Sequence, residues 1–349
     1  MSSTRHDEMM NFLNANLAKG FEVESLPGDA SFRRYHRIHL PVVAEEGKVQ
    51  MTYLLMDAPP EKESVEQFVH VCDILSETVN VPDIIARDVP KGFLLLQDFG
   101  TTEFAHLIAD DAEHKDGYYT KALQTLVQLQ SIDTQVDLPT YSDVKLEQEM
   151  DLFDEWFLPY LDVKMSPNAK TLWQKLKQTL IDNINAQPQV IVHRDYHSRN
   201  LMADKGSDAL GVIDFQDAVI GAYTYDLVSL VRDAYINYDE QWVEKRIHEF
   251  YKMIEPSVDL GSFIAQTNIM GIQRHLKVLG IFIRLSERDG KHRYLDNIPK
   301  VMQDLLTELT WLKDHHIDGV YQEFLVWLET FVLPSYQKKF QKQLQAAQS

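Results

Sequence analysis

The sequence predicts an α+β chain of two lobes, a small N-terminal antiparallel sheet with a helix followed by a larger, mainly helical part. Three observations lead there. Val49, Met51, Tyr53 and Leu55 alternate with period two, as in a strand with one buried face. After Gly100 the apolar residues recur at helical spacing over long stretches. A length of 349 residues exceeds one compact core and suits two lobes.

Residues 5–19 predict a short helix with Met9, Met10, Leu13 and Leu17 on one side. The run 26–31, with Pro27 and Gly28, reads as a turn, and 32–40 as the strand leaving it. Gly47 marks a second turn before the strand 49–56, so the two strands form a hairpin. A helix over 61–78 places Val65, Phe68, Val69, Cys72 and Leu75 on one stripe. Ile84-Ile85 and 93–96 read as two further strands around Pro90-Lys91-Gly92. Helices are then expected around Leu123–Gln130, over about 145–157 and over about 168–186. Strand signals return only at 190–192 and 210–213, and the chain is helical from Asp226 onward, with a Gln- and Lys-rich tail over 336–349 expected to fray. The lobe boundary falls at Gln97 to Gly100, giving lobes 1–97 and 98–349.

Composition narrows the function. A hydrophobic fraction of 44% and a charged fraction of 25% fit a globular protein. A net charge of −19 argues against binding a nucleic-acid backbone, which needs a basic face. Cys72 is the single cysteine, which rules out an internal disulfide and a cysteine metal cage. The N-terminus lacks the apolar segment of a signal peptide and no run is long enough to span a bilayer, so a cytoplasmic location without a membrane partner is expected.

The chemistry concentrates in His193-Arg194-Asp195-Tyr196-His197-Ser198-Arg199-Asn200, followed by Ile213-Asp214-Phe215. Asp195 follows a β-branched strand and offers a carboxylate to orient an attacking hydroxyl and take its proton. Asn200 offers a neutral, hard oxygen and Asp214, at the end of the next apolar run, an anionic one. Mg²⁺ takes such sparse sets because it keeps water and phosphate oxygens as its other ligands. Phosphoryl transfer from a nucleotide needs these parts in this order. Taken singly, an Asp at a strand end or an Asn after a loop is a turn residue; the combination carries the reading.

These motifs, HRDYHSRNLM with VIDFQDAVIGAYTYDLVSL, resemble the aminoglycoside phosphotransferase superfamily, which has a protein-kinase-like fold. GDASFRRYHRI, LLMDAPP and IDFQDAVIGAYTYDLVSL are most similar to the bacterial anomeric amino-sugar kinases of cell-wall recycling. The resemblance runs from about Gly28 to Arg293 and implies transfer from ATP to the C1 hydroxyl of N-acetylmuramate or N-acetylglucosamine. It implies that Asp195 is the base, that Asn200 and Asp214 hold Mg²⁺, and that His193 and Asp226 support the catalytic loop, with capping of the next helix as the other role for Asp226. It places nucleotide binding in the first lobe, at the Gly28 and Ser31 turn and at the hinge residues Gln97, Asp98 and Phe99. Asp98-Phe99-Gly100 spells DFG but precedes the HRD segment, so Asp214 takes the metal role.

The chain departs from the kinase pattern in two places. Tyr53-Leu54-Leu55-Met56-Asp57 contains no lysine for the α- and β-phosphates, and Gly28 stands alone where a glycine-rich loop is usual. Arg33, Arg34 and Arg37, with His36, are the nearest cations, and Arg33 or Arg34 is expected to replace the lysine; basic residues on a sheet edge for solubility are the other reading. For the acceptor, Arg274 and Lys277 lie one helical turn apart and suit a sugar hydroxyl or a lactyl carboxylate, or else form a salt-bridged helix face. His197 either touches the acceptor or packs the loop, and Trp156 and Tyr160 either stack on a pyranose or belong to the core. A kinase of an aminoglycoside, choline or another small alcohol is the alternative enzyme. A nucleotide-binding regulator without catalysis is the alternative of another class.

Overall fold

The computed structural model describes residues 4–27, 33–41, 51–204 and 206–346. Gly28, Ser31 and the turn at Gly47 lie outside them. Nine strands run through the described residues: β1 Glu22–Ser25, β2 Arg34–His39, β3 Thr52–Asp57, β4 Ile84–Asp88, β5 Phe93–Gln97, β6 Gln189–Val192, β7 Leu201–Ala203, β8 Leu210–Val212 and β9 Val219–Ala222. The chain packs as two compact units, one of Met1–Leu129 with Ser198–Asp217, the other of Gln130–His197 with Ala218–Ser349. Packing thus returns the β7–β8 segment to the N-terminal part, a grouping that differs from a cut at residue 97.

In the first unit β1 to β5 form an antiparallel sheet in the order β1-β2-β3-β5-β4. The β2–β3 pair is in register from Arg34 opposite Asp57 to His39 opposite Thr52. Alternation along the strands sends Leu55, Phe93 and Leu95 to one face, where they pack with Ile38 and with Met9, Phe12 and Leu13 of the helix Arg5–Asn16. That helix starts on a capping box, Thr4 and Asp7 each accepting the other's backbone N–H. The central strand β5 buries Phe93, Leu94, Leu95 and Leu96 in succession, so both of its faces are covered. The helix Glu66–Leu75 buries Phe68, Val69, Cys72 and Leu75, and the Phe68 ring packs tilted against Phe215 with ring centres 4.8 Å apart. β1 and β7, at four and three residues, are too short to show a period in sequence.

The second unit is built on the 28-residue helix Leu260–Glu287. It is buried nearly all round, polar residues such as Gln273, Arg274, His275 and Lys277 included. Gly280 allows one of its contacts: a Cβ there would lie 2.2 Å from the carbonyl oxygen of Leu152, at the end of the helix Asp143–Leu152. The helix expected over 145–157 divides at that point, and Phe153–Phe157 winds as a π-turn that buries Phe153 and Phe157. β6 pairs with β9, a strand of four small or branched residues that the sequence reading passed over. Through Ala346 the tail is helical, where fraying was expected. Helices run from Leu333 to Lys339 and from Gln341 to Ala346, and Tyr336 and Phe340 are buried.

Candidate active site

In the helical unit β6 delivers the chain to His193, and Asp226 receives it. The Asp226 carboxylate is fully buried and accepts the backbone N–H groups of His193 at 2.6 Å and Arg194 at 3.0 Å. Burial pushes its carboxyl up to about 6, against the pull of the His193 charge and these two bonds. Arg194 takes a left-handed backbone, φ 76°, which costs a non-glycine residue about 1–3 kcal/mol and needs surrounding bonds to hold it. His193 is buried and its Nδ1 accepts the N–H of Asp195 at 3.3 Å. The turn is therefore fixed by its backbone, and the Asp195 side chain remains exposed.

The electrostatics of Asp195 come from its own unit. Crowding by protein raises its carboxyl, but the charges of Lys277, His197, His193 and Arg274 outweigh this and hold it below the ordinary carboxylate range. Lys277 and Arg274, read as acceptor ligands or as a salt-bridged helix face, are both buried on the long helix. Lys277 Nζ donates to Tyr225 Oη at 3.0 Å and pairs with Glu149 at 3.2 Å. Arg274 Nε donates to Ser229 Oγ at 2.7 Å. Glu149 joins the network together, since it also accepts from Tyr141 Oη and from Arg194 at 2.7 Å. Burial raises the Glu149 carboxyl, and Lys277, Tyr141 and Arg194 more than reverse that. His197 meets the Tyr235 ring edge-on at 5.6 Å. Trp156 packs against the core, and Tyr160 lies on Phe340 with Lys339 over its face, so neither is a free platform.

In the other unit the β7–β8 hairpin brings Asn200 and Asp214 to the same end. Leu201 faces Val212, and Ile213 N–H donates to Asn200 O at 3.1 Å. Asp214 has φ 65°, a conformation Asp tolerates better than most residues. Its Oδ1 accepts from Gln216 Nε2 at 2.9 Å, and Gln67 Nε2 ties down the Gln216 carbonyl at 2.8 Å. Phe215 is buried between them in sequence, which fixes the turn. Gly211 on β8 lets Phe99 approach to where a Cβ would stand 2.4 Å from the ring. The Asn200 amide and Asp214 carboxylate are hard oxygen donors that fit Mg²⁺, and no group of three or more His, Cys, Asp or Glu poised for a metal occurs among the described residues. Phosphate and water would then supply the other ligands.

The predicted nucleotide residues divide in the same unit. Arg33 pairs with Glu63 at 2.9 Å, close enough to Tyr35 and Asp214 for all three charges to act on the Tyr35 hydroxyl, which burial first of all pushes up to about 12. Arg34 is exposed on β2. Arg37 is not free for phosphate: its guanidinium grips Asp98 at 2.7 Å and the Gly100 carbonyl at 3.0 Å. Asp98 is thereby held low, burial notwithstanding. Phe99 is buried, and Gln97 has its N–H on the Asp83 carbonyl at 2.9 Å, so that N–H is already used. The sequence reading missed Glu149, Tyr141 and Tyr225. An acidic residue inside an otherwise apolar helical stripe was the one available signal for Glu149.

The phosphotransferase enzyme family matches residues 22–256. An N-acetylmuramate/N-acetylglucosamine kinase of Pseudomonas putida is 37% identical over 305 residues, 84% of this chain and 86% of that one. One of the same description from Pseudomonas aeruginosa is 36% identical over 288 residues, 80% of this chain and 81% of that one. Among solved structures, a Plasmodium vivax ethanolamine kinase superposes with a TM-score of 0.57 at 13% identity, covering 86% of this chain and 85% of its own, which is a likeness of fold. The small antiparallel sheet and the helical remainder are accordingly those of the protein-kinase-like fold, and the chain belongs to the phosphotransferase enzyme family.

Proposed function

We propose that this phosphotransferase is an ATP- and Mg²⁺-dependent kinase of the anomeric C1 hydroxyl of N-acetylmuramate, N-acetylglucosamine or both, in cell-wall recycling. The observation that carries the substrate is the 36–37% identity, over four fifths of the chain, to relatives of that description. The local geometry supports the chemistry. Asp195 is exposed and kept ionised by buried cations, so it can orient the sugar hydroxyl and take its proton. The hydroxyl oxygen bonds to the γ-phosphorus as the bond to the bridging β–γ oxygen breaks, and ADP leaves. A hemiacetal hydroxyl is more acidic than an ordinary alcohol, so late proton transfer to Asp195 suffices. Asn200 and Asp214 would hold the magnesium, whose positive charge neutralises the phosphate oxygens.

Phosphate binding without the usual lysine falls to Arg33 or Arg34 in this reading, with Gly28 and Ser31 shortly before them in the sequence. Arg37 serves a different purpose, since Asp98 occupies it. Gln97, Asp98 and Phe99 would meet adenine through backbone groups other than the Gln97 N–H. His193 and Asp226 act through the loop backbone. Arg274 and Lys277 act on the acceptor side through the charge they place near Asp195. The test is ATP-dependent transfer to N-acetylmuramate, N-acetylglucosamine and choline, with the phosphate located by ³¹P–¹H correlation NMR. Phosphate on C1 of either amino sugar is expected. Transfer to choline alone, or to another hydroxyl, would overturn the proposal.

A further inference from the structure

We infer that the acceptor sugar ring lies in a cavity of about 500 Å³ in the helical unit, between the turn that follows the helix Tyr225–Val231 and the head of the helix Ile298–Asp314. The inference rests on the sugar-kinase reading and adds the residues that hold the sugar. Tyr235, Glu240, Asn297, Lys300, Gln303 and Asp304 line the cavity. The volume lies in the range of small-molecule sites, which are commonly about 300–1,000 Å³.

Position is the first argument. Tyr235 forms one wall, and its ring meets His197 edge-on at 5.6 Å. His197 stands two residues from Asp195 and acts on its carboxyl. Tyr235 therefore links this cavity to the catalytic loop, and a pyranose laid on its ring would lie beside His197.

Chemistry is the second. A sugar needs acceptors and donors held still, and the carboxylates here are fixed before any ligand arrives. Arg232, itself buried, grips Glu240 through two bonds of 2.9 and 2.5 Å and lies 3.5 Å from Asp304, and Lys300 pairs with Asp304. Such preorganisation leaves little side-chain ordering to oppose binding. Asn297 ends the 3-10 turn His292–Asn297 with a helical backbone that continues into the next helix, so its side chain is not used as a cap. Its amide lines the cavity instead, with the Gln303 amide one turn and a half along. The carboxylates Glu240, Asp296 and Asp304 outnumber Lys300 on the wall, even with Arg232 behind, so a triphosphate is repelled and an uncharged hydroxyl-rich ring with an acetamido group, N-acetylglucosamine, is favoured over the anionic N-acetylmuramate.

The experiment uses the full chain with Asn297→Ala, Gln303→Ala and Thr307→Trp, the last to fill the cavity, since Thr307 also lines it. Melting curves establish that each variant folds, and KM and kcat are measured for N-acetylglucosamine and for ATP. The expected result is a sugar KM raised about tenfold by each amide loss, the cost of one ordinary hydrogen bond, with ATP KM and saturated kcat within about twofold of the parent. Thr307→Trp should raise the sugar KM further still. If the parent phosphorylates the sugar while all three folded variants keep its sugar KM, the cavity is not the acceptor site and the kinase reading stands. If the parent phosphorylates no amino sugar, the kinase reading fails, and the sugar assignment of the cavity with it.

Discussion

Arg194 Nη2 donates to Glu149 Oε1 at 2.7 Å, so an arginine with a left-handed backbone is anchored by a buried carboxylate from a distant helix. The same carboxylate receives Lys277 and Tyr141. Glu149 therefore supports both the backbone next to Asp195 and the lysine whose charge reaches it. Replacing Glu149 with Gln leaves the buried Lys277 and the part-buried Arg194 short of their counter-charge. We expect a loss of about 3–5 kcal/mol in unfolding free energy, the usual cost of breaking a buried pair from one side. Urea denaturation measures it; a loss below about 1 kcal/mol would mean that the network is slack.

For Asp195→Asn the split between kinetic constants is the diagnostic. Removing a proton acceptor that acts in the transition state should lower kcat by about 10²–10⁴-fold with sugar KM nearly unchanged. An equal loss in both constants would make Asp195 a binding residue.

The phosphate-binding role of Arg33 and Arg34 is tested by their alanine variants. At least one should raise ATP KM about tenfold or more, as expected for a lost charge-assisted bond, and leave the sugar KM alone. Unchanged ATP KM in both variants would assign these arginines to the sheet surface, where Arg33 already pairs with Glu63.

His275 predicts a pH dependence of stability. It is buried on the long helix beside Glu308, at 2.8 Å, and burial lowers it from the ordinary 6.5 to about 3. A depressed histidine binds its proton more readily unfolded than folded, so its contribution is complete above pH 6.5 and is lost as pH falls toward 3. His275 should contribute a decline of up to about 1.4 kcal/mol per pH unit across that window, opposed above pH 4.5 by Glu308, whose carboxyl burial raises, and His275→Asn should remove the His275 part of the slope. Denaturant midpoints at half-unit steps of pH test this, and an unaltered slope in the variant would exclude His275 as its source.

Gly280→Ala is the packing test. Its methyl would meet the Leu152 carbonyl at 2.2 Å, and backbone gives way less readily than a side chain. Overpacking of this kind costs about 1–3 kcal/mol, against a helix-propensity gain of about 1 for leaving glycine. A net destabilisation is expected by thermal melting; a stabilised variant would show that the two helices can part.

Much of the fold was legible because strand and helix periods differ. Tyr53 and Leu55 marked β3, and Phe68, Cys72 and Leu75 marked the helix Glu66–Leu75. β1, β7 and β9 are three or four residues long, too few to display any period. Asp195, Asn200 and Asp214 stood out as candidates because their residue types and spacing are rare together. Lys277 and Arg274 were read as acceptor ligands or as a salt-bridged helix face, and the sequence did not reveal the partner Glu149 more than a hundred residues away. Arg37 was grouped with its neighbours for the same reason, before Asp98 was seen to occupy it.

The helix Leu260–Glu287 carries Arg274, His275, Lys277 and Gly280 within two turns, each meeting a different neighbour. One added or deleted residue upstream of them rotates all four by about 100° at once. This stretch can exchange side chains one at a time, but its length is as constrained as any residue in it, and insertions in this protein must be sought in its connecting loops.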